Sequence, residues 1–235
     1  YGKGKMFLRS LKLFSHDAMF YGLSNVISKL IGFLLIPIYT IYLSPADYGV
    51  MTLLGFYTLL YNPLSHLGLQ GAMFRYVGFA KSTEEEDTIL SSAFKTNILI
   101  SIFFRLVAIF LIIPIELFLL KSTNYTNLLY LTIIASFFSS ISQMVYSFLR
   151  IKRKVKTIFL LNIINLLFSV GLNIFLIVGL KMGLNGAIYT IAISSVVTIS
   201  MVLIIAKVPV KKKIDKTILR KMFNYGLPNV RSEER

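Results

Sequence analysis

Six long runs of apolar residues divide this chain, and they restrict its possible folds more than any other feature of the sequence. A helix needs about 20 apolar residues to cross the roughly 30 Å hydrocarbon core of a bilayer. Strands of a membrane barrel are about ten residues of strict alternation, and these continuous runs lack that pattern. The sequence therefore predicts an all-α, polytopic membrane helical bundle with six transmembrane helices. The predicted spans are residues 18–43, 48–69, 95–120, 128–149, 158–180 and 184–206.

The residues outside these runs suggest how the chain is organised. Hydrophobic residues make up 56% and charged residues 15% of the chain, which is unlike a soluble domain. We predict an N-terminal arm at 1–17, a six-helix transmembrane lobe at 18–206, and a basic linker at 207–235 that includes the start of a truncated seventh helix. The first run is longer than a signal-peptide core and is expected to remain in the mature chain. Cysteine is absent from the sequence, which excludes disulfide bonds and Cys-ligated metals.

Basic residues concentrate in every second connection, which places them on one side of the predicted spans. The opposite connections hold only Lys121 and Lys181. Under the positive-inside rule this places the N-terminus and the basic tail in the cytoplasm, with the chain in the cell inner membrane. Contact with anionic membrane lipid explains the net charge of +15 better than nucleic acid does. The basic side contains Lys3, Lys5, Arg9, Lys12, Arg75, Lys81, Lys95, Arg150, Lys152, Arg153, Lys154, Lys156, Lys207, Lys211, Lys212, Lys213, Lys216, Arg220 and Lys221.

Polar or small residues recur at helical spacing within every predicted span. For a single helix, hydrogen bonding across a packing interface accounts for such a stripe as well as any other explanation. Six stripes together favour a bundle around a hydrated cavity, which is the architecture of a transporter. The stripes include Asn25 and Lys29, Asn62 and His66, Asn97 and Arg105, Ser140 and Gln143, Asn162 and Asn165, and Thr190 and Ser194.

Two cations, Lys29 and Arg105, lie near the middle of the first and third predicted spans. A charge at this depth costs about 2.5 to 3.5 kcal/mol, so it is expected to face the bundle interior and to have a partner. The nearest carboxylate on the third span, Glu116, is about 16 Å farther along a helix. A cavity with fixed positive charge is suited to an anion, and Arg and Lys together suit a phosphate or diphosphate.

Three stretches resemble one family, the Wzx-type polysaccharide repeat-unit flippases, which are relatives of the lipid II flippases and the MATE exporters. The first stretch contains an Asn and a Lys and is followed by a Leu-Ser-Pro-x-x-Tyr-Gly corner at residues 43–49. The second is LGLQGAMFRY at 67–76, and the third is LRKMFNYGLP at 219–228, which resembles the opening of the family's seventh helix. The resemblance covers the whole chain but only the N-terminal lobe of a two-lobe transporter.

The resemblance implies a flippase that moves undecaprenyl-diphosphate-linked oligosaccharides across the membrane for capsule, O-antigen or lipopolysaccharide assembly. No bond is made or broken, so neither catalytic residues nor cofactors are expected. The diphosphate is expected at Lys29 and Arg105, and the sugar hydroxyls at Asn25, Gln143, Asn162 and Asn165. Implied partners are the lipid-linked oligosaccharide and membrane lipid, together with a glycan polymerase or other proteins of an export complex.

Other functions remain open on sequence grounds. Within the superfamily, drug exporters place an acidic residue in the first helix, where this chain has Lys29. A drug exporter, a lipid II exporter, a membrane glycan polymerase or ligase, and a scaffold of an export complex all remain alternatives. The short outer connections argue against a polymerase or ligase, which needs a loop of convergent Arg, His or carboxylate groups. The sequence contains no phosphate-binding P-loop, metal-spaced cluster or Ser/His/Asp constellation.

Overall fold

A computed structural model describes residues 22–23, 26, 29–30, 32–208 and 212–230 of the chain. These residues form helices joined by short turns and contain no strand, so the predicted all-α bundle is confirmed. The predicted N-terminal arm and Asn25 lie outside the described residues. The helices are α1 (Gly32–Tyr42), α2 (Pro45–His66), α3 (Leu69–Gly78), α4 (Thr83–Phe110), α5 (Ile112–Leu120), α6 (Thr126–Ile151), α7 (Val155–Asn173), α8 (Gly183–Ala206) and α9 (Lys216–Val230). A π-helical segment, Ile174–Gly179, continues α7.

Four of these helices are long and apolar enough to cross a membrane by length and composition: α4, α6, α7 with its π-helical continuation, and α8. The α2 helix is 22 residues long but is not among the four. Its second half contains Asn62, Ser65 and His66, which lower its mean hydropathy. The predicted second span is therefore a helix that presents many polar groups to the rest of the bundle.

The Leu-Ser-Pro corner of the sequence forms the N-terminal cap of α2. The Ser44 hydroxyl accepts a hydrogen bond from the Asp47 backbone N–H at 3.1 Å, and the Asp47 carboxylate accepts one from the Ser44 backbone N–H at 3.3 Å. This reciprocal pair satisfies two backbone donors that a helix start leaves free. Pro45 occupies the first helical position, where its missing N–H costs nothing. Local sequence thus determines the turn between α1 and α2.

Two predicted spans are interrupted in the structure. The span predicted at 48–69 ends at His66, because Leu67 and Gly68 both adopt left-handed backbone angles (φ 43° and 71°) before α3 begins. The span predicted at 95–120 consists of α4 and α5, which meet at Leu111. Pro114 lacks the N–H that would bond to the Phe110 carbonyl in a continuous helix, so the helix breaks there.

The α6 helix lies at the centre of the bundle and packs most extensively against α8 and α4. One apolar core joins α3, α4, α6, α7, α8 and α9 around Met73, Met144 and Met222, and a second joins α2, α4, α5, α6 and α8 around Leu54 and Leu129. Between α4 and α6 the hydroxyls of Ser101 and Ser140 lie 3.0 Å apart. Small hydroxyl residues of this kind let helices approach closely in a membrane.

The α9 helix docks on the lobe at a contact between two glycines. A Cβ atom at Gly68 would lie 2.2 Å from the Gly226 carbonyl oxygen, and one at Gly226 would lie 2.8 Å from the Gly68 carbonyl oxygen. The approach is completed by Met222, which is fully buried, and by the Tyr76 hydroxyl, which donates to the Lys221 carbonyl at 3.1 Å. Backbones this close leave no room for any side chain at either position.

The segment before α9 is held against the start of α4. The Lys212 carbonyl accepts a hydrogen bond from the Ser91 hydroxyl at 2.9 Å, and the Ser92 hydroxyl accepts one from the Asp215 backbone N–H at 3.0 Å. The Lys212 ammonium also pairs with Glu84, whose pKa this hydrogen-bonded pairing lowers. Glu84, in the charged stretch Lys81 to Asp87, therefore contacts the segment that precedes α9.

A buried carboxylate joins α5 to the start of α6. Glu116 is 0% exposed and accepts hydrogen bonds from the Tyr125 backbone N–H at 2.7 Å and from the Thr126 hydroxyl at 2.5 Å. Its negative charge also lies at the positive end of the α6 dipole. Glu116 therefore has partners of its own and does not neutralise Arg105.

We expect Glu116→Ala to lower the free energy of unfolding by about 1.5 to 3 kcal/mol, the range for hydrogen bonds to charged groups. Unfolding in mixed detergent micelles with increasing dodecyl sulfate measures this. Leu117→Ala on the same helix is the control, because the Leu117 side chain is exposed and its truncation should cost less. Equal losses from the two variants would contradict a capping role for Glu116.

Candidate functional site

A cavity rich in polar side chains lies between α1, α2, α6, α7 and α8, and we call it the main cavity. Its volume is about 390 Å³. Its wall contains many amide and hydroxyl side chains, and α7 alone contributes four of them. The main cavity is lined by Leu35, Tyr39, Thr58, Ala135, Ser136, Ser139, Ser142, Gln143, Tyr146, Asn162, Asn165, Ser169, Asn173, Thr190, Ile191, Ser194, Ser195 and Thr198.

The polar side chains that line the main cavity are uncharged. None of its described residues is Asp, Glu, Lys, Arg or His. Amides and hydroxyls both donate and accept hydrogen bonds, so such a wall suits a neutral group rich in hydroxyls. The rings of Tyr39 and Tyr146 add flat apolar surface. Among the described residues, no group of three or more His, Cys, Asp or Glu side chains could hold a metal ion.

The amides of α7 divide into those that are already paired and one that is free. The Asn165 side-chain carbonyl accepts a hydrogen bond from the Thr198 hydroxyl at 2.8 Å, which ties α7 to α8. The Asn173 carbonyl accepts one from the Tyr39 hydroxyl at 3.1 Å, which ties α7 to α1. The amide of Asn162 has no hydrogen-bond partner within the described part of the chain. Asn162 is thus the α7 amide most available to a ligand.

A smaller cavity lies at the turn between α2 and α3, and we call it the corner cavity. It has a volume of about 220 Å³. Gln143 lines both the main cavity and the corner cavity, so its side chain lies between them. The corner cavity is lined by Leu59, Asn62, Pro63, His66, Gly68, Gln70, Gly71 and Gln143.

The sequence analysis expected Arg105 to face a hydrated cavity, and the structure places its side chain elsewhere. Its side chain is only 5% exposed and does not line the main cavity. It donates to the Ser65 hydroxyl and, at 2.7 Å, to the Ser136 carbonyl, and its guanidinium lies 4.9 Å from the centre of the Tyr61 ring. Phe137 lies on another side, 5.9 Å away. Among the described residues, neutral oxygens and aromatic faces, rather than a carboxylate, surround this charge.

Asn97 and His66 extend the buried polar network around Arg105 through contacts that the sequence did not predict. The Asn97 amide nitrogen donates to the Ser65 carbonyl at 2.9 Å and lies 3.0 Å from His66 Nδ1. Asn97 and Ser101 precede Arg105 at helical spacing on α4, so their shared stripe was visible in the sequence. Their partners, which lie on α2 for Asn97 and on α6 for Ser101, were not, because nothing local indicates which faces of two helices will meet.

Lys29 is exposed and is also absent from the lining of the main cavity. The structure therefore does not bring Lys29 and Arg105 together at the cavity wall. Of the six residues that the sequence analysis assigned to substrate, Gln143, Asn162 and Asn165 line the main cavity. Asn25 lies outside the described residues.

Solved structures with the same fold are transporters. An outward-facing multidrug resistance MATE family transporter of the MOP superfamily superposes with a TM-score of 0.77 at 16% identity, covering 94% of this chain and 52% of that one. A MATE protein in the straight conformation gives a TM-score of 0.72 at 17% identity, with 94% and 53% covered. A MOP superfamily transporter from Pyrococcus furiosus, described by the reverse polarity of its binding pocket, gives 0.68 at 17% identity, with 92% and 52% covered. The chain thus has the fold of one lobe of a two-lobe transporter, spanning about half the length of these structures.

The family is given by sequence. The chain belongs to the polysaccharide biosynthesis protein family, whose model matches residues 14–233. Together with the MOP superfamily fold, this confirms the resemblance drawn from the Leu-Ser-Pro corner and the two later motifs. Among curated proteins, no significant match to the chain was found.

Proposed function

We propose that this chain is the N-terminal lobe of a flippase that carries undecaprenyl-diphosphate-linked oligosaccharides across the cytoplasmic membrane for cell-surface polysaccharide assembly. The observation that carries the proposal is the uncharged wall of the main cavity within a transporter fold. A sugar head presents many hydroxyls and little charge, and amide and hydroxyl groups match it. Membership of the polysaccharide biosynthesis family supports the same substrate class.

The substrate's two chemical parts call for different residues. We assign the sugar head to Gln143, Asn162 and Asn165 in the main cavity, and the lipid tail to the surrounding bilayer. We assign the diphosphate to Lys29, with Asn25 beside it in sequence, because Lys29 is an exposed cation that a charged group can reach. Arg105 contributes its positive charge from behind the wall, through Ser136, whose carbonyl accepts its hydrogen bond.

The distribution of charge supports an orientation with the N-terminus and the linker in the cytoplasm. The ends of α2, α6 and α8 and the start of α4 share the side on which basic residues concentrate. On that side Lys152 pairs with Glu86 at 2.5 Å, and Lys212 pairs with Glu84. This arrangement follows the positive-inside rule for a protein of the inner membrane.

The competing functions fit the main cavity less well. An exporter of cationic drugs needs a negative group, and none lines the described part of the cavity. A glycan polymerase or ligase needs convergent acid and base groups, and the described lining contains no carboxylate, imidazole or amine. A glycan polymerase remains a proposed partner that consumes the flipped product.

We expect Asn162→Ala to reduce glycan export by about tenfold without changing stability, since loss of hydrogen bonds to substrate carries a cost of roughly 1 to 2 kcal/mol. Asn165→Ala should reduce both export and stability, because it also breaks the bond to Thr198. Both are measured in cells that depend on this protein for export, with thermal stability of the purified protein as the second readout.

Asn127→Ala is the matched control, because Asn127 is an exposed amide at the start of α6, away from the cavity. It should leave both readouts unchanged. Undiminished export by both the Asn162 and the Asn165 variants would show that the main cavity does not bind the sugar.

A further inference from the structure

The corner cavity contains unpaired polar groups that the proposed function has not used. His66 is only 7% exposed, and its Nε2 has no hydrogen-bond partner in the described part of the chain. The same holds for Asn62 Oδ1 and Gln70 Nε2, whose residues also line this cavity. A buried polar atom without a partner costs about 1 to 3 kcal/mol, so three beside one cavity indicate a ligand there.

The hydrogen-bonding character of each atom follows from its neighbours. The Asn97 amide nitrogen lies 3.0 Å from His66 Nδ1, and an amide nitrogen only donates. Nδ1 therefore accepts, and the neutral imidazole carries its proton on Nε2. Gln70 Nε2 is a donor as well, whereas Asn62 Oδ1 is an acceptor. The three unpaired atoms of the corner cavity are thus two donors and one acceptor, all uncharged.

This combination discriminates between ligand classes. An anion would satisfy the two donors but would face the Asn62 oxygen, and a cation would satisfy that oxygen alone. A hydroxyl group both donates and accepts, so neighbouring hydroxyls of one molecule satisfy all three atoms. The 220 Å³ volume is several times the roughly 30 Å³ share of one water molecule and accommodates one sugar ring. Pro63 supplies apolar surface for the C–H face of such a ring.

We propose that the corner cavity is a second saccharide subsite, in which one neutral sugar ring pairs with Asn62, His66 and Gln70. Gln143 lines both cavities, so two consecutive sugars of one oligosaccharide occupy the main cavity and the corner cavity together. This inference rests on the proposed function. It adds that the turn between α2 and α3 contributes to the choice of oligosaccharide.

The chain contains no tryptophan, which makes single-tryptophan reporters specific. Leu59→Trp reports on the corner cavity and Ile191→Trp on the main cavity, and both side chains are exposed enough (68% and 47%) to be replaced without disturbing the core. The purified full chain in lipid nanodiscs is titrated with N-acetylglucosamine, glucose, the β-1,4-linked dimer of N-acetylglucosamine, lactose and inorganic phosphate, with emission excited at a wavelength that tyrosine does not absorb.

We expect at least one disaccharide to change the emission of both reporters saturably. Gln70→Ala should weaken that response about tenfold at the Leu59→Trp reporter, since a hydrogen bond to the ring is lost. The monosaccharide affinity at the Ile191→Trp reporter should stay within about twofold of its value without Gln70→Ala, which also shows that the lobe is folded.

The other outcomes separate the two proposals. A response at Ile191→Trp alone, or a Leu59→Trp response that Gln70→Ala does not weaken, overturns the second subsite and leaves the proposed function standing. A Leu59→Trp response to phosphate rather than to sugar overturns it in favour of an anion site. Silence of both reporters to every sugar contradicts sugar recognition by this lobe, and with it both proposals.

Discussion

Replacing Arg105 with alanine is expected to lower the free energy of unfolding by roughly 2 to 4 kcal/mol, in addition to any effect on transport. The substitution leaves a cavity beside Tyr61 and Phe137 and removes the hydrogen bonds to Ser65 and Ser136. Relief of the cost of burying the charge offsets part of this loss. Unfolding in mixed micelles containing dodecyl sulfate measures the difference.

Arg105→Lys tests the geometry of this site. Lysine keeps the positive charge but lacks the planar fork that reaches α2 and α6 at once, so we expect it to restore only part of the lost stability. Full rescue by lysine would mean that the charge matters and the fork does not.

Lys29→Ala is the control that separates stability from transport. Lys29 is exposed, so its removal should leave the free energy of unfolding within about 0.5 kcal/mol of the original value. Under the proposed function it should nevertheless reduce export, because the diphosphate loses its cation. If Arg105→Ala abolished export without any loss of stability, Arg105 would be a direct ligand and its buried position would need another explanation.

Replacing Gly68 with alanine is expected to release α9 from the lobe. A residue with a side chain loses about 1 to 2 kcal/mol in the left-handed conformation that Gly68 adopts. Its Cβ would also lie 2.2 Å from the Gly226 carbonyl oxygen, and backbone atoms cannot move aside as a flexible side chain does. The two costs together exceed what the remaining contacts of α9 withstand, so α9 must shift.

Amide hydrogen exchange across residues 216–230 measures this release. Since 1.4 kcal/mol corresponds to a tenfold change in an equilibrium, we expect exchange in α9 to accelerate by about tenfold or more. Gly78→Ala on α3 is the matched control, because a Cβ there meets nothing within 4 Å. Unchanged exchange of α9 in the Gly68 variant would show that the glycine contact does not hold this helix.

The helices were largely predictable because the requirement that creates them is local. Each run of apolar residues must satisfy its own backbone hydrogen bonds within hydrocarbon, and only a helix achieves this along a single segment. The start of α2 was equally local, since Ser44, Pro45 and Asp47 carry their own capping chemistry. The interruptions at Leu67 and Leu111 were missed, because Pro63 and Pro114 indicate a kink without showing whether the helix will end.

The candidate site was predictable in part, for a related reason. Gln143, Asn162 and Asn165 were assigned from helical spacing, which places them on one face of their own helices, and all three line the main cavity. Arg105 follows the same spacing on α4 but is enclosed by Ser65 of α2 and Ser136 of α6. Spacing identifies a polar face and does not indicate whether that face meets a cavity or another helix.

The sequence by itself determined that this chain is a helical membrane lobe with polar faces, a basic side and the motifs of its family, because these properties depend on neighbouring residues and on the bilayer. Only the tertiary structure decided which polar groups are free. Ser65 and Arg105 are 40 residues apart in sequence, and Gly68 and Gly226 are still farther apart. The contacts of both pairs arise only when the helices pack. Packing pairs some polar groups with each other and leaves others, such as the Asn162 amide and Gln70 Nε2, without a partner in the described part of the chain.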